Sequence, residues 1–172
     1  MPNSFRYQSR KLNANPEAGR GKFAFLMILM HHSRMISNLR SKDEAMRINK
    51  LLLDTHVFLW WRANDPLLKE AARSAIADAD VVFVSAATTW EAAIKASLGR
   101  LDLPDTVESG VEDSGFDKML ISFSHAEAAA ALPPHHGDPF DRMLVAQAIS
   151  EGLTLVTHDR RLEAYDVPIL WT

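Results

Sequence analysis

The chain has 172 residues, enough for one well-cored domain and short for two. Of these, 47% are hydrophobic, 24% are charged and none is cysteine, which excludes a disulfide framework, thiolate catalysis and a cysteine zinc site. The net charge of −3 combines a basic arm (residues 1–49, nine Lys and Arg against three Asp and Glu) with an acidic remainder (residues 50–172, ten against nineteen, hence −9), and such a remainder meets phosphate only through a cation held by its acids.

Residues 1–22 are polar, basic and rich in Asn, Ser, Pro and Gly, a composition that predicts disorder. Phe23 to Met30 is apolar but far short of the ~20 residues that span a bilayer. A basic region before a short apolar run has the outline of a secretory signal, but His31-His32-Ser33-Arg34 follows without a small-residue cleavage site, so the expectation is an over-extended or non-native start, with the His pair incidental. Met35 and Met46 stand ahead of the first strand. The expectation is a basic, disordered or non-native extension over 1–45 and one domain over 46–172.

Lys50 to Leu53 reads as a strand buried on both faces, and Asp54 falls at its carboxyl end, where open α/β sheets bind ligands. Val57-Phe58-Leu59-Trp60-Trp61 predicts a short helix or turn packed on the core; the tandem tryptophans read as packing rather than as a base-stacking platform. Asp65-Pro66 has the chemistry of a helix start, Asp as cap and Pro first, for a helix reaching about Ala79. A second strand, Val81 to Ser85, leads into a helix from about Thr88 to Gly99 that carries Glu91 in its first turn, where the helix dipole and Lys95 four residues on give it an ordinary structural reading.

One short helix is expected after Pro104, then a strand over Lys118 to Phe123 and a capping box at Ser124-His125-Ala126-Glu127. His135 and His136 form a loop pair better suited to proton transfer or phosphate contact than to metal ligation. Asp138-Pro139 caps and opens a helix that runs to Glu151 and stops at Gly152, with Asp141 at its third position. A strand over 153–157 ends on Thr157, two residues before Asp159, and Val167 to Leu170 makes a last edge strand that tolerates Pro168. Strands alternating with helices predict a mostly parallel sheet flanked by helices.

Acids gathered in one crevice repel unless a cation is present, and a hard divalent ion that keeps its waters suits phosphate chemistry. Neither a Gly-rich phosphate loop nor a Gly-x-Ser-x-Gly elbow is present. The blocks Leu51-Leu52-Leu53-Asp54-Thr55-His56, Ser85 to Lys95, Asp138 to Ala148 and Leu155-Val156-Thr157-His158-Asp159, in this order and spacing, resemble the PIN domain, most closely its VapC-type toxins from bacterial toxin–antitoxin pairs. The resemblance covers about 47–172. It implies a PIN-like three-layer α/β sandwich and a cytoplasmic Mg²⁺- or Mn²⁺-dependent endoribonuclease. It further implies Asp54, Glu91, Asp141 and Asp159 as metal-binding and catalytic acids, with Thr157 as helper. The implied partners are an RNA substrate, a cognate antitoxin whose basic segment enters the acid pocket, and a second copy of the chain; no membrane is involved.

Two other classes compete. A PIN-like module that only binds a partner would keep the same acids. A haloacid-type phosphatase would use Asp54 as nucleophile, but His56 stands where that family needs a second Asp, and no lysine follows Lys118.

Overall fold

The structure is a computed structural model and describes residues 49–172; the expectations for residues 1–45, including His31-His32, lie outside the described residues. Five strands, β1 (Lys50–Leu53), β2 (Val81–Ser85), β3 (Asp117–Met119), β4 (Thr154–Thr157) and β5 (Ile169–Trp171), form one sheet in the order β3-β2-β1-β4-β5. Every pairing is parallel. The helices are α1 (Thr55–Arg62), α2 (Glu70–Ala77), α3 (Ala86–Ser97), α4 (Val107–Asp113), α5 (Phe123–Ala131) and α6 (Pro139–Glu151), with a 3₁₀ turn over Arg160–Ala164.

Successive side chains of a strand point to opposite faces, and β1 shows how this makes two cores. Leu51 and Leu53 join Val57, Phe58, Ile76, Val84 and Val111 on one face. Leu52 joins Leu144, Val145, Leu155 and Leu162 on the other. The three leucines are at most 2% exposed, which is why an unbroken apolar run, not an alternating one, marks the central strand. The resulting arrangement is the expected helix–sheet–helix sandwich.

The chain runs outward from β1 through β2 to β3, then returns to β4 on the other side of β1. The β1/β4 boundary is therefore the topological switch point, and the carboxyl ends of these strands open a crevice there. Asp54 and Thr157 end these two strands.

Several local signals resolve differently from expectation. Asp65-Pro66 does not open a helix: Asp65 accepts the Leu67 N–H at 2.8 Å in a turn, and α2 begins only at Glu70, after Lys69, whose side chain makes no cap bond. The capping box belongs to Ser122 and His125, not to Ser124 and Glu127: Ser122 Oγ accepts the His125 N–H while His125 Nδ1 accepts the Ser122 N–H. Imidazole has taken the place of the usual Glu or Gln carboxyl or amide, and α5 starts two residues earlier in consequence. β3 is correspondingly shorter than the strand expected over 118–123. β5 begins one residue after Pro168, at the sheet edge, as proline requires. α6 follows its signals, with Asp138 accepting the Phe140 N–H at 2.8 Å and Gly152 closing the helix at φ 64°.

Arg142 of α6 ties the next layer together. Its guanidinium donates to the carbonyls of Ala129 and Leu132 (both 2.8 Å) and Pro133 (2.7 Å), and to the Tyr165 hydroxyl at 3.2 Å. It thus supplies donors to carbonyls that α5 leaves open at its C-terminus. Arg142→Met is expected to destabilise the domain by about 2–4 kcal/mol in urea unfolding, because several half-buried acceptors lose a charged donor at once. Arg142→Lys should recover only part, since an ammonium lacks the planar fork.

Candidate active site

Asp54 is 2% exposed and doubly engaged. Its Oδ1 accepts the His56 N–H at 3.1 Å, which caps α1, and its Oδ2 accepts the Thr157 hydroxyl at 2.5 Å across the switch point. Thr157 Oγ1 also accepts the Asp159 N–H at 3.1 Å, so one buried hydroxyl couples the end of β1 to the loop after β4. Burial opposes ionisation of Asp54, but the His56 contacts and the Thr157 hydroxyl outweigh it and hold the carboxyl below its usual range. Asp54 in turn raises His56 above the ordinary imidazole value.

α3 begins at Ala86, earlier than its sequence signals suggest, because Ser85 at the end of β2 caps it by accepting the Ala87 N–H at 2.9 Å. Glu91 therefore falls in the second turn, beyond reach of the first-turn dipole argument. It is 8% exposed and pairs with Lys95 at 2.7 Å. Thr55 and Thr88, both buried, join α1 to α3 through a 3.3 Å hydroxyl contact.

Asp141 is the electrostatic centre of the crevice. Burial, followed by the charges of Asp54, Asp138, Glu91 and Asp159, pushes its carboxyl up to about 7. Asp159 is the opposite case: Arg161, through guanidinium and backbone N–H, holds its carboxyl far below the usual range. The four sequence-predicted acids thus share one crevice, but unequally. Oxygen and nitrogen atoms mutually within 4.8 Å group Asp141 and Asp159 with His136, and Asp54 with His56 and His158, while Glu91 leans on Lys95.

The donor set fits a hard divalent cation. Carboxylate oxygens predominate, and burial together with the neighbouring carboxylates pushes the Asp141 carboxyl up to about 7, a penalty on its charged form that such an ion would relieve.

The two loop histidines divide. His135 stacks on Tyr165 with ring centroids 5.3 Å apart. His136 is buried, with Nε2 3.3 Å from Asp159 Oδ2 and 3.4 Å from Asp141 Oδ2, a placement that suits direct phosphate contact less than the proton-transfer role expected as its alternative. Sequence reasoning missed this placement, though the two-residue offset from the Asp138 cap was a usable signal. It also missed His158, whose ring lies 4.7 Å from Trp60 and 5.4 Å from His56 at the mouth of the crevice. Trp60 and Trp61 are partly buried against the core, as the packing reading requires. Beside them runs a groove of about 500 Å³ whose lining includes Trp60, Lys95, Arg100 and Val107.

The profile of the PIN domain matches residues 51–168. Ribonuclease VapC22 of Mycobacterium tuberculosis is 39% identical over 121 residues, which cover 69% of this chain and 93% of the relative. Among solved structures, VapBC2 from Rickettsia felis, bound to a DNA fragment from their promoter, aligns with a TM-score of 0.55 at 14% identity, covering 70% of this chain and 97% of that one. A toxin–antitoxin complex from Klebsiella pneumoniae aligns with a TM-score of 0.52 at 19% identity, covering 70% and 95%. At these identities the solved structures speak to the fold alone.

Proposed function

The chain belongs to the PIN domain family, in its VapC branch, and from that premise we propose that it is a metal-dependent endoribonuclease, the toxin of a toxin–antitoxin pair acting in the cytoplasm. The observation that carries this reading is Asp141, pushed up to about 7 in a crevice shared with Asp54, Glu91 and Asp159 at the switch point of the sheet. We take the PIN domain as 46–172 and residues 1–45 as an extension to it.

In this reading Asp54, Glu91 and Asp141 hold Mg²⁺ or Mn²⁺, with Asp159 acting through water. The ion supplies an activated water and charge stabilisation at the leaving oxygen of an RNA phosphodiester, giving 5′-phosphate and 3′-hydroxyl ends. The chain's own residues do the positioning. Thr157 fixes the Oδ2 of Asp54 and the backbone of Asp159 together, so the acids that follow two adjacent strands, β1 and β4, are tied to each other. Lys95 and Arg161 offset part of the negative charge that an incoming polyanion would meet at the crevice rim, Arg161 with its side chain 71% exposed.

The −9 charge of residues 50–172 suits a basic segment of a cognate antitoxin. Large apolar side chains at the surface, Trp90 at 59% and Phe123 at 92% exposed, suit a homodimer. Among the described residues no helix is long and apolar enough to cross a membrane.

One observation favours the second reading, a silent interaction module: two of the four acids are already paired with cations of the chain itself, Glu91 with Lys95 and Asp159 with Arg161. Incubating the purified chain, freed of antitoxin, with total cellular RNA separates the two. Cleavage that appears with Mg²⁺ or Mn²⁺ and vanishes with chelator is the expected result. Intact RNA in the presence of a metal-loaded, folded chain would favour the silent module.

A further inference from the structure

We propose that His136 is a positioning residue: an imidazole whose Nε2–H donates to Oδ2 of Asp159 and so holds that carboxylate beside Asp141, whose Oδ2 lies 3.4 Å from the same nitrogen, for the divalent cation. This rests on the metal-dependent reading above and deepens it, because it settles whether the His136, Asp141 and Asp159 group is a three-ligand set or a carboxylate pair with a strut.

The decisive contact is on the far side of the ring. His136 Nδ1 accepts the backbone N–H of Asp138 at 3.1 Å. A backbone amide always donates, so Nδ1 carries a lone pair and the ring proton is on Nε2. An imidazole that ligates a metal through Nε2 needs its lone pair there and its proton on Nδ1, where it would donate to an acceptor. The Asp138 amide forbids that arrangement. Nε2 is therefore a donor: it donates to Asp159 Oδ2 at 3.3 Å, and Asp141 Oδ2 stands beside it at 3.4 Å.

The ring is also held from its backbone. The His136 N–H donates to the Tyr165 hydroxyl at 3.0 Å, and Tyr165 donates onward to the Pro133 carbonyl at 3.2 Å. Arg142 donates to the His136 carbonyl at 3.4 Å and to the same hydroxyl at 3.2 Å. Contacts from two separate stretches of chain, the start of α6 with its Asp138 cap and the end of the 3₁₀ turn, thus aim one N–H at the Asp159 carboxylate beside Asp141, two acids that arrive on different elements. A histidine serving only to fill the core would need no carboxylate against this nitrogen, whereas here its proton is directed at one acid of the crevice with a second acid 3.4 Å away.

The test is Mn²⁺ binding by calorimetry on the full chain, with Mg²⁺ and Zn²⁺ in parallel, for wild type, His136→Phe, His136→Gln and Tyr165→Phe. His136→Phe is expected to weaken Mn²⁺ binding by about 10–100-fold, the range for lost support behind a ligand. His136→Gln, which keeps an N–H donor, should recover most of that loss, and Zn²⁺ should fall by the same factor as Mn²⁺. Tyr165→Phe leaves the ring in place but frees its backbone, and should weaken binding several-fold. Unchanged Mn²⁺ affinity in His136→Phe overturns the proposal. So does a loss concentrated on Zn²⁺, which prefers imidazole and would mark His136 as a ligand. If His136→Phe fails to fold, nitrogen NMR of the histidine rings decides on metal-free wild type: a proton on Nε2 is expected, and a proton on Nδ1 refutes the strut. A wild-type chain that binds no divalent cation overturns the metal reading instead, and the nitrogen spectrum still reads His136 separately.

Discussion

Asp54→Asn is expected to lower metal-dependent RNA cleavage by at least about 100-fold while leaving the domain folded, since it removes one charge from the cation's carboxylate set and little else. The substitution is selective because the two oxygens of Asp54 have different tasks. Oδ1 caps α1 through the His56 N–H, and the amide oxygen of Asn caps equally well. Oδ2 receives the Thr157 hydroxyl, which can rotate and accept from an amide instead, although it already accepts the Asp159 N–H. The stability cost in urea should therefore stay near 1–2 kcal/mol. Asp54→Ala gives the contrasting pattern: the cap is lost and the hydroxyl of Thr157, itself fully buried, is left without its acceptor. That variant should lose about 2–4 kcal/mol in addition to activity. Single-turnover cleavage and urea melts on both variants check this. Undiminished cleavage by a folded Asp54→Asn chain would remove Asp54 from the reaction.

The parts of this molecule that were readable in the sequence are those set by one dominant local force. Leu51 to Leu53 read as a central strand because a short apolar run that ends at once on Asp54 and Thr55 is too brief for a buried helix, and α6 carries both a cap that pairs locally and a glycine stop. The Asp65-Pro66 start failed because Asp65 spends its carboxylate on a turn three residues before any helical stripe can reach the core. The capping box was misplaced because imidazole substituted for a carboxyl in a role that the residue pattern assigns to Glu. The places of Asp54, Glu91, Asp141 and Asp159 at strand ends and helix starts draw them together in the sequence, but Glu91 by itself reads as a surface ion-pair partner of Lys95, and only the resemblance raises it above that and prefers Asp141 to Asp138. Their inequality was not legible at all. It depends on Thr157 reaching Asp54 across 103 positions of chain and on Arg161 folding back onto Asp159, both consequences of tertiary placement.

That inequality has a thermodynamic signature in the absence of any substrate. The Asp141 carboxyl stands at about 7 in the folded chain against 3.8 as its ordinary value. Between these, the folded state holds a proton that the unfolded state releases, so the stability linked to Asp141 is complete below the lower value and is lost as pH rises through the upper one. The full interval corresponds to at most ~4 kcal/mol, shared with the neighbouring acids to which Asp141 is coupled. In chelator, the melting temperature should accordingly fall by about 5–10 °C between pH 5 and pH 8 from this source. Asp54 and Asp159, whose carboxyls lie below their usual range, contribute the opposite slope only at lower pH and leave this window untouched. His56, raised by Asp54, adds in the same direction as Asp141, so the comparison that isolates Asp141 is the difference between wild type and Asp141→Asn. The Asn variant should lose most of the slope and be the more stable protein at pH 8 without metal. Mg²⁺ should reverse the order. At 100 times its dissociation constant it would return about 2.7 kcal/mol to wild type at pH 8, much less at pH 5 where Asp141 is protonated, and little to Asp141→Asn at either pH. A melting temperature that is flat between pH 5 and 8 in chelator, or an Asp141→Asn variant with the wild-type slope, would show that the crevice carries no such charge deficit and would undercut the case for a cation there.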